Sequence, residues 1–179
     1  MTADFIKKAL ATQHPRDEWL FATEIRTEAG YGSFSYAGAQ GLRIIDAFAM
    51  HLWPSKNHRR VAYEIKVTKS DFIHELEQPL KRTQAQFLSD QFYFVLAENI
   101  FPVGVRSVPA KAAWREFNGY VATQECGILI VKEDGEVKRI TSAPVRPAWP
   151  MPAGFIASFA KRVRDQGWQE PTNQKGVQL

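Results

Sequence analysis

The sequence has 179 residues, of which 45% are hydrophobic and 23% are charged, and its formal net charge is +4 at pH 7. This length and composition are those of one ordinary globular domain with a full core, and they exclude a disordered chain, a collagen-like fibre and a disulfide-rich miniature scaffold. The single cysteine, Cys126, excludes an internal disulfide and a cysteine metal cluster.

The two ends of the chain carry weak signals. The amino end is amphipathic without the apolar run of an export signal, and no stretch approaches the roughly 18 consecutive apolar residues of a membrane span. We therefore expect a cytoplasmic protein with no membrane partner. Residues 1–169 are predicted to form a single domain, and the polar residues 170–179 a flexible tail.

The first half of the chain is predicted to be a helix followed by three strands. Residues 14–30 have a proline in the first turn, acids after it and a closing glycine, which predicts a helix. Residues 31–37 alternate aromatic with small polar residues, and residues 43–53 are apolar, so both are predicted strands. Residues 61–67 alternate in the same way and are predicted to be the third strand.

The second half adds helices, a strand and a hairpin. A helix is predicted at residues 71–78, with Ser70 or Asp71 as its cap, then a helical stretch at 80–89 and a strand at 91–97. The Asp134-Gly135 pair between two short apolar runs predicts a hairpin, and apolar residues at helical spacing predict a terminal helix after residue 154. The fold class is therefore α/β or α+β with a mixed sheet.

Common catalytic motifs are missing from the sequence. There is no phosphate-binding GxxxxGK[ST] loop, no three-glycine dinucleotide fingerprint and no GxSxG nucleophile elbow. The four histidines are scattered without a metal-binding spacing, which argues against a zinc hydrolase. Chemistry that depends on ATP, NAD, zinc or a serine nucleophile is therefore unsupported.

The triplet Glu64-Ile65-Lys66, with Asp46 upstream, is the remaining candidate site. Both acids interrupt otherwise apolar predicted strands, and burying an unpaired charge costs several kcal/mol, so these groups need partners. One interpretation is a salt bridge between Lys66 and Asp46 or Glu64. The other is a hard cation such as Mg²⁺, held by two carboxylates and the carbonyl of Ile65. Spacing alone does not decide between them.

A second triplet of the same type, Glu136-Val137-Lys138, follows the predicted hairpin turn. Charges on an exposed hairpin are ordinary, so this triplet is predicted to have no role.

Asp46, followed by Glu64-Ile65-Lys66 at the end of the next strand, resembles the PD-(D/E)XK nuclease signature of the restriction-endonuclease-like fold. The order of elements up to residue 97 resembles the αβββαβ core of that fold. EIKVTKSDF (64–72), Lys81, DQFYFV (90–95) and CGIL (126–129) resemble, more specifically, the MmcB-like DNA-repair proteins and related phage-type proteins. The sequence departs from the pattern at Ile45, where the signature has proline, and at Arg82 and Ala85, where the family has aromatic residues.

The resemblance implies a metal-dependent deoxyribonuclease acting in DNA repair, recombination or phage DNA processing. By this resemblance Asp46 and Glu64 would ligate Mg²⁺ or Mn²⁺ with the carbonyl of Ile65, Lys66 would orient the attacking water, and Glu24 would be an extra acid on the opening helix. The cations expected to contact DNA phosphates are Arg59, Arg60, Lys69 and Lys81.

Alternatives to a nuclease remain open from the sequence. RNA is a second candidate substrate, and a nucleic-acid-binding module of the same fold without cleavage, or an interaction domain with a structural ion-pair network, are rival functions. Cleavage of both DNA strands would use a homodimer, which nothing in the sequence specifies. Trp53 and Tyr31 could stack on bases, but we expect both to pack in the core.

Overall fold

The computed structural model describes residues 1–27, 43–100 and 125–167, and these residues contain one six-stranded mixed sheet. The helices are α1 (Ala3–Thr12), α2 (Lys69–Leu76), α3 (Thr83–Leu88) and α4 (Ala153–Gly167). The strands are β1 (Trp19–Arg26), β2 (Ile44–His51), β3 (Arg60–Lys66), β4 (Gln91–Ala97), β5 (Gly127–Val131) and β6 (Val137–Thr141). Short 3-10 helices cover Pro54–Lys56, Pro79–Lys81 and Glu98–Ile100.

The strands lie in the sheet in chain order, from β1 at one edge to β6 at the other. β1, β2 and β3 pair antiparallel, β3, β4 and β5 pair parallel, and β5 and β6 form the antiparallel hairpin. The helix, three strands, helices and strand up to residue 97 follow the αβββαβ order of the restriction-endonuclease-like core. The predicted fold class, the added hairpin and the terminal helix are therefore confirmed.

The predicted helix at residues 14–30 is wrong. The opening helix is α1, in which Ile6, Ala9 and Leu10 are buried at helical spacing, and Thr2 caps its start by accepting a hydrogen bond from the Phe5 N–H at 3.3 Å. Residues 19–26 (WLFATEIR) form β1 instead, because their aromatic and β-branched side chains fit a pleated sheet surface better than a helix.

Two other predictions shift or fall outside the described structure. The cap of α2 is Thr68, whose hydroxyl accepts a hydrogen bond from the Asp71 N–H at 3.2 Å, rather than Ser70 or Asp71. The strand predicted at residues 31–37 and the tail predicted at 170–179 lie outside the described residues.

Phenylalanine rings form much of the core. On one face of the sheet, Phe48 of β2 meets Phe155 and Phe159 of α4 edge-on, with ring centroids 5.1 and 5.2 Å apart. Phe72 of α2 packs in the same way on Phe94 of β4, at 5.1 Å. These contacts hold α4 against β2, the strand that carries Asp46, and α2 against β4.

The other face of the sheet carries a buried polar pair. His14 is almost fully buried, and its Nε2 lies 2.8 Å from the hydroxyl of Tyr63. Its ring stacks on Phe21 of β1 at a centroid distance of 5.2 Å. Burial lowers the pKa of His14 to about 4, so the imidazole is neutral at physiological pH.

The end of α4 is attached to β1 by one side chain. Thr23 donates its backbone N–H to Oε1 of Gln166 at 2.8 Å, and the Gln166 Nε2 donates to the Thr23 carbonyl at 3.0 Å. The side-chain amide therefore satisfies both backbone groups of Thr23.

Gly127, the first residue of β5, is packed without space for a side chain. A Cβ there would lie 2.3 Å from Cε1 of Tyr93 and 2.6 Å from the backbone nitrogen of Ala143. We expect Gly127→Ala to lower the free energy of unfolding by about 3 kcal/mol, because a backbone atom as well as a ring must move. Chemical denaturation measures this, and Lys138→Ala on exposed β6 should stay within about 0.5 kcal/mol of the wild type. An unchanged Gly127→Ala variant would contradict this packing.

None of the helices in the described parts of the chain is long and apolar enough to cross a membrane.

Candidate active site

The candidate site lies where β2 and β3 stop pairing. The antiparallel pairs run from Met50–Arg60 to Ala47–Tyr63, and the next positions along the two strands are Asp46 and Glu64. Because residues at opposed positions share a face, the two carboxylates project from the same side of the sheet. The sequence prediction that these acids come from adjacent strands is confirmed.

The side chain of Asp46 replaces a backbone partner for β3. The Ile65 N–H donates to Oδ2 of Asp46 at 2.7 Å, in the place where a β2 carbonyl would accept in a continuing ladder. The N–H and C=O of one strand residue point to the same neighbouring strand, so the Ile65 carbonyl is also directed to the β2 side. The Asp46 carboxylate and the backbone of Ile65 therefore meet at the point where the strands separate, next to Glu64.

Burial makes both carboxylates hard to ionise together. Desolvation, followed by the negative charge of Asp46, raises the pKa of Glu64 to about 7. Desolvation also raises the pKa of Asp46, and the hydrogen bond from Ile65 and the positive charges of Lys66 and Lys7 only partly offset it. Two acids that share a site in this way favour a proton or a cation between them.

Lys66 supplies one positive charge beside the acids. Its Nζ donates to Oε1 of Glu64 at 2.7 Å and to Oε2 of Glu75 at 3.2 Å, and all three side chains are largely buried. Burial opposes the charged form, but the two carboxylates outweigh it and hold the pKa of Lys66 above its usual value. Lys66 is therefore a fixed ammonium, and the salt bridge predicted from the sequence forms with Glu64 and not with Asp46.

Glu75 is a site residue that the sequence analysis missed. It belongs to α2, where it is 7% exposed and lies on the same helix face as the buried Phe72 and Leu76. The signal was available, because positions 72, 75 and 76 follow helical spacing and a glutamate among them faces the sheet. Glu75 is the second carboxylate that holds the ammonium of Lys66.

Glu24 lies on β1, so its predicted place on the opening helix is wrong. Thr23 pairs with Ala47 and Ile25 with Ile45, so Glu24 lies opposite Asp46. The backbone of Glu24 has a φ of +55°, which interrupts the ladder at this position. Its half-exposed carboxylate accepts a hydrogen bond from Lys7 Nζ at 2.6 Å, which lowers the pKa of Glu24. Lys7 of α1, which sequence reasoning also missed, thus bonds Glu24, and its charge also acts on Asp46.

The four cations expected to contact DNA are divided between two places. Arg59 and Arg60 lie at the far end of β3, roughly 13 Å along the strand from Glu64. Arg60 donates to the Trp149 carbonyl at 2.7 Å and pairs with Asp90, so it joins parts of the fold. Lys69, exposed, begins α2, and Lys81, half-buried, lies in the 3-10 turn after α2.

Trp53 is half exposed, at 53%, in the turn between β2 and β3. The expectation that it packs in the core is therefore wrong. Tyr31, which was also expected to pack in the core, lies outside the described residues.

The donor set fits a hard cation that keeps much of its water. Within residues 1–27, 43–100 and 125–167, no three or more His, Cys, Asp or Glu side chains are grouped as metal ligands. The protein donors available to a cation here are Asp46, Glu64 and the carbonyl of Ile65, and water would complete its shell. Mg²⁺ is commonly held in this way, by one or two carboxylates together with several waters.

The raised pKa of Glu64 predicts a pH-dependent stability. In the absence of divalent cations, the unfolded chain loses this proton near its ordinary pKa of 4.5 while the folded protein keeps it until about pH 7. The free energy of unfolding should therefore fall from pH 4.5 to pH 7, by up to about 3 kcal/mol relative to Glu64→Gln. Denaturation of both proteins in EDTA measures the two pH profiles. The lowered pKa of His14 contributes with the opposite sign, but it contributes equally to both proteins and cancels in the difference. Parallel pH profiles would contradict the shift.

Comparison with known proteins gives one distant structural likeness. No protein-family model matches the sequence, and no curated protein matches it. The crystal structure of an XisH family protein from Nostoc punctiforme is similar at a TM-score of 0.44 and 14% identity, over 78% of this chain and 98% of that one.

Proposed function

We propose that the protein is a Mg²⁺- or Mn²⁺-dependent nuclease that hydrolyses phosphodiester bonds of DNA. The observation that carries the proposal is the pair of opposed carboxylates, Asp46 and Glu64, beside the fixed ammonium of Lys66. Lys66 pairs with Glu64 and Glu75, and a purely structural ion-pair network has no need for Asp46 as a further buried acid.

Asp46 and Glu64, with the carbonyl of Ile65, are the groups that would hold the metal. A bound divalent cation polarises a phosphate and lowers the pKa of a coordinated water.

Lys66 acts as a cation in this proposal. Because its pKa is raised, it does not accept the proton of the attacking water. Its Nζ instead orients that water and offsets the negative charge that develops on the phosphate. Glu75 is a positioning residue, since it holds Lys66 without lying in the carboxylate pair.

Three observations favour DNA as the substrate. The sequence resemblance to MmcB-like DNA-repair proteins covers the triplet Glu64-Ile65-Lys66 and the motifs that follow it. The net charge of +4 suits a polyanion, and the exposed Lys69 lies three residues after Lys66. Repair, recombination and phage DNA processing are the settings that this resemblance suggests.

A cleavage panel tests the proposal. Purified protein with Mg²⁺ or Mn²⁺ is incubated with single-stranded, duplex, nicked, flap and junction DNA and with single-stranded RNA, and Asp46→Asn controls for contaminating nucleases. We expect cutting of at least one DNA by the wild type only. If both proteins shift the same DNA and neither cuts it, the chain is a nucleic-acid-binding module instead.

A further inference from the structure

A cavity of about 420 Å³ lies beside β1, between α1 and α4. Its walls are Lys7 and Lys8 of α1, Trp19 and Phe21 of β1, and Gln166 of α4. The volume is within the range of pockets that bind small molecules. The carboxylate pair of the candidate active site is not part of its lining.

The lining of the cavity is cationic. Lys7, Lys8 and Arg16 contribute three positive charges, and no described residue of the lining is acidic. Lys7 is paired with Glu24 and Asp4, and the side chains of Lys8 and Arg16 are exposed. This charge distribution favours an anionic ligand, and a phosphate group matches the guanidinium of Arg16 well.

The cavity also has an aromatic wall. Trp19 and Phe21 line it together with His14, whose ring is stacked on Phe21 and meets Trp19 edge-on at 4.8 Å. Flat aromatic surfaces stack on nucleic-acid bases without reading their sequence. A ligand that combines one phosphate with one base would satisfy the cationic side chains and the aromatic wall together.

One residue of the cavity lining, Lys7, also influences the candidate active site, because its charge acts on Asp46. Thr23, which also lines the cavity, pairs with Ala47 of β2, the residue next to Asp46. Successive strand residues point to opposite faces of the sheet, so the Thr23 side chain lies on the face opposite to the Asp46 and Glu64 carboxylates. Lys7 belongs to the cavity lining and also bonds Glu24, opposite Asp46.

We propose that the cavity binds one nucleoside monophosphate unit, with the base against Trp19 and Phe21 and the phosphate at Lys8 and Arg16. The unit is the unpaired end nucleotide of a DNA strand, an assignment that rests on the proposed nuclease function. A free mononucleotide presents the same chemistry, and the test separates the two sources.

Titration calorimetry in EDTA tests the site without depending on cleavage. The probes are dAMP, deoxyadenosine, inorganic phosphate and a 5′-phosphorylated tetradeoxynucleotide. The variant is Lys8→Gln/Arg16→Gln, and the matched control is Lys138→Gln/Arg139→Gln, which removes the same two charges from exposed positions on β6 at the other edge of the sheet.

We expect dAMP to bind the wild type, and its Kd to rise about tenfold or more in Lys8→Gln/Arg16→Gln and less than twofold in the control. Tighter binding of the tetranucleotide than of dAMP assigns the site to a strand end, and equal binding assigns it to a free mononucleotide. Absence of dAMP binding, equal losses in both variants, or binding of phosphate as tight as that of dAMP would overturn the proposal. A protein that binds dAMP and cuts no DNA would refute the nuclease alone.

Discussion

Replacing Lys66 by Ala should lower the rate of DNA cleavage by about 10²- to 10³-fold, the usual effect of removing one group that stabilises transition-state charge. The change also leaves the largely buried Glu64 and Glu75 without their shared cation, so we expect the free energy of unfolding to fall by about 1–3 kcal/mol. Cleavage is therefore measured well below the Tm of the variant, with DNA binding followed by anisotropy in Ca²⁺. Binding should be nearly unchanged.

The second triplet of the chain provides the matched control. Glu136 lies exposed before β6, where its carboxylate pairs with Lys132. Exposed pairs of this kind contribute little, so Glu136→Ala should leave both cleavage and stability unchanged. Retained cleavage in Lys66→Ala would refute the role of the ammonium, and loss of cleavage in a folded Glu136→Ala would mean that the wrong triplet was assigned.

Asp46→Asn should abolish cleavage and also the stabilisation of the protein by divalent cations. In the wild type, Mg²⁺ or Ca²⁺ at about 100 times its Kd should add about 3 kcal/mol of stability, or roughly 5–10 °C in Tm. The variant should show almost no cation-dependent shift. Without cations it should be at least as stable as the wild type, because the substitution removes a buried charge next to Glu64 while the amide oxygen can still accept from Ile65.

Differential scanning fluorimetry with and without each cation measures these shifts. Asp165→Asn is the control, since its carboxylate lies on α4 and pairs with Lys161 and Arg164 away from the site. The control should respond to cations like the wild type. Equal shifts in Asp46→Asn and the wild type would place the cation elsewhere on the protein.

The strands that carry the site were predictable because their signals are strong and local. The sequence of β3 alternates apolar and other residues, and that of β4 is almost continuously apolar. A short turn joins β2 to β3, which predicts that Asp46 and Glu64 come from adjacent strands. The opening of the chain was not predictable in the same way. Proline and glycine at the ends of residues 14–30 resemble helix boundaries, but the sheet-forming side chains of β1 decide the structure between them.

Contacts between distant segments account for most of what the sequence did not reveal. Lys7 reaches Glu24 across 17 residues, and Arg60 is bonded to the carbonyl of Trp149, 89 residues away. No periodicity encodes such pairs, because they depend on how the helices and loops dock on the sheet. Glu75 is different, since its helical spacing with Phe72 and Leu76 placed it toward the sheet from the start.

The amide of Gln166 also limits how the sheet could grow. β1 is an edge strand, and an edge with unpaired backbone groups invites another chain to add a strand. At Thr23 those groups are already bonded to Gln166, so an incoming strand would have to displace the end of α4 before it could pair there. Two copies of the chain that act together on both strands of a duplex would therefore associate through a surface other than this stretch of β1.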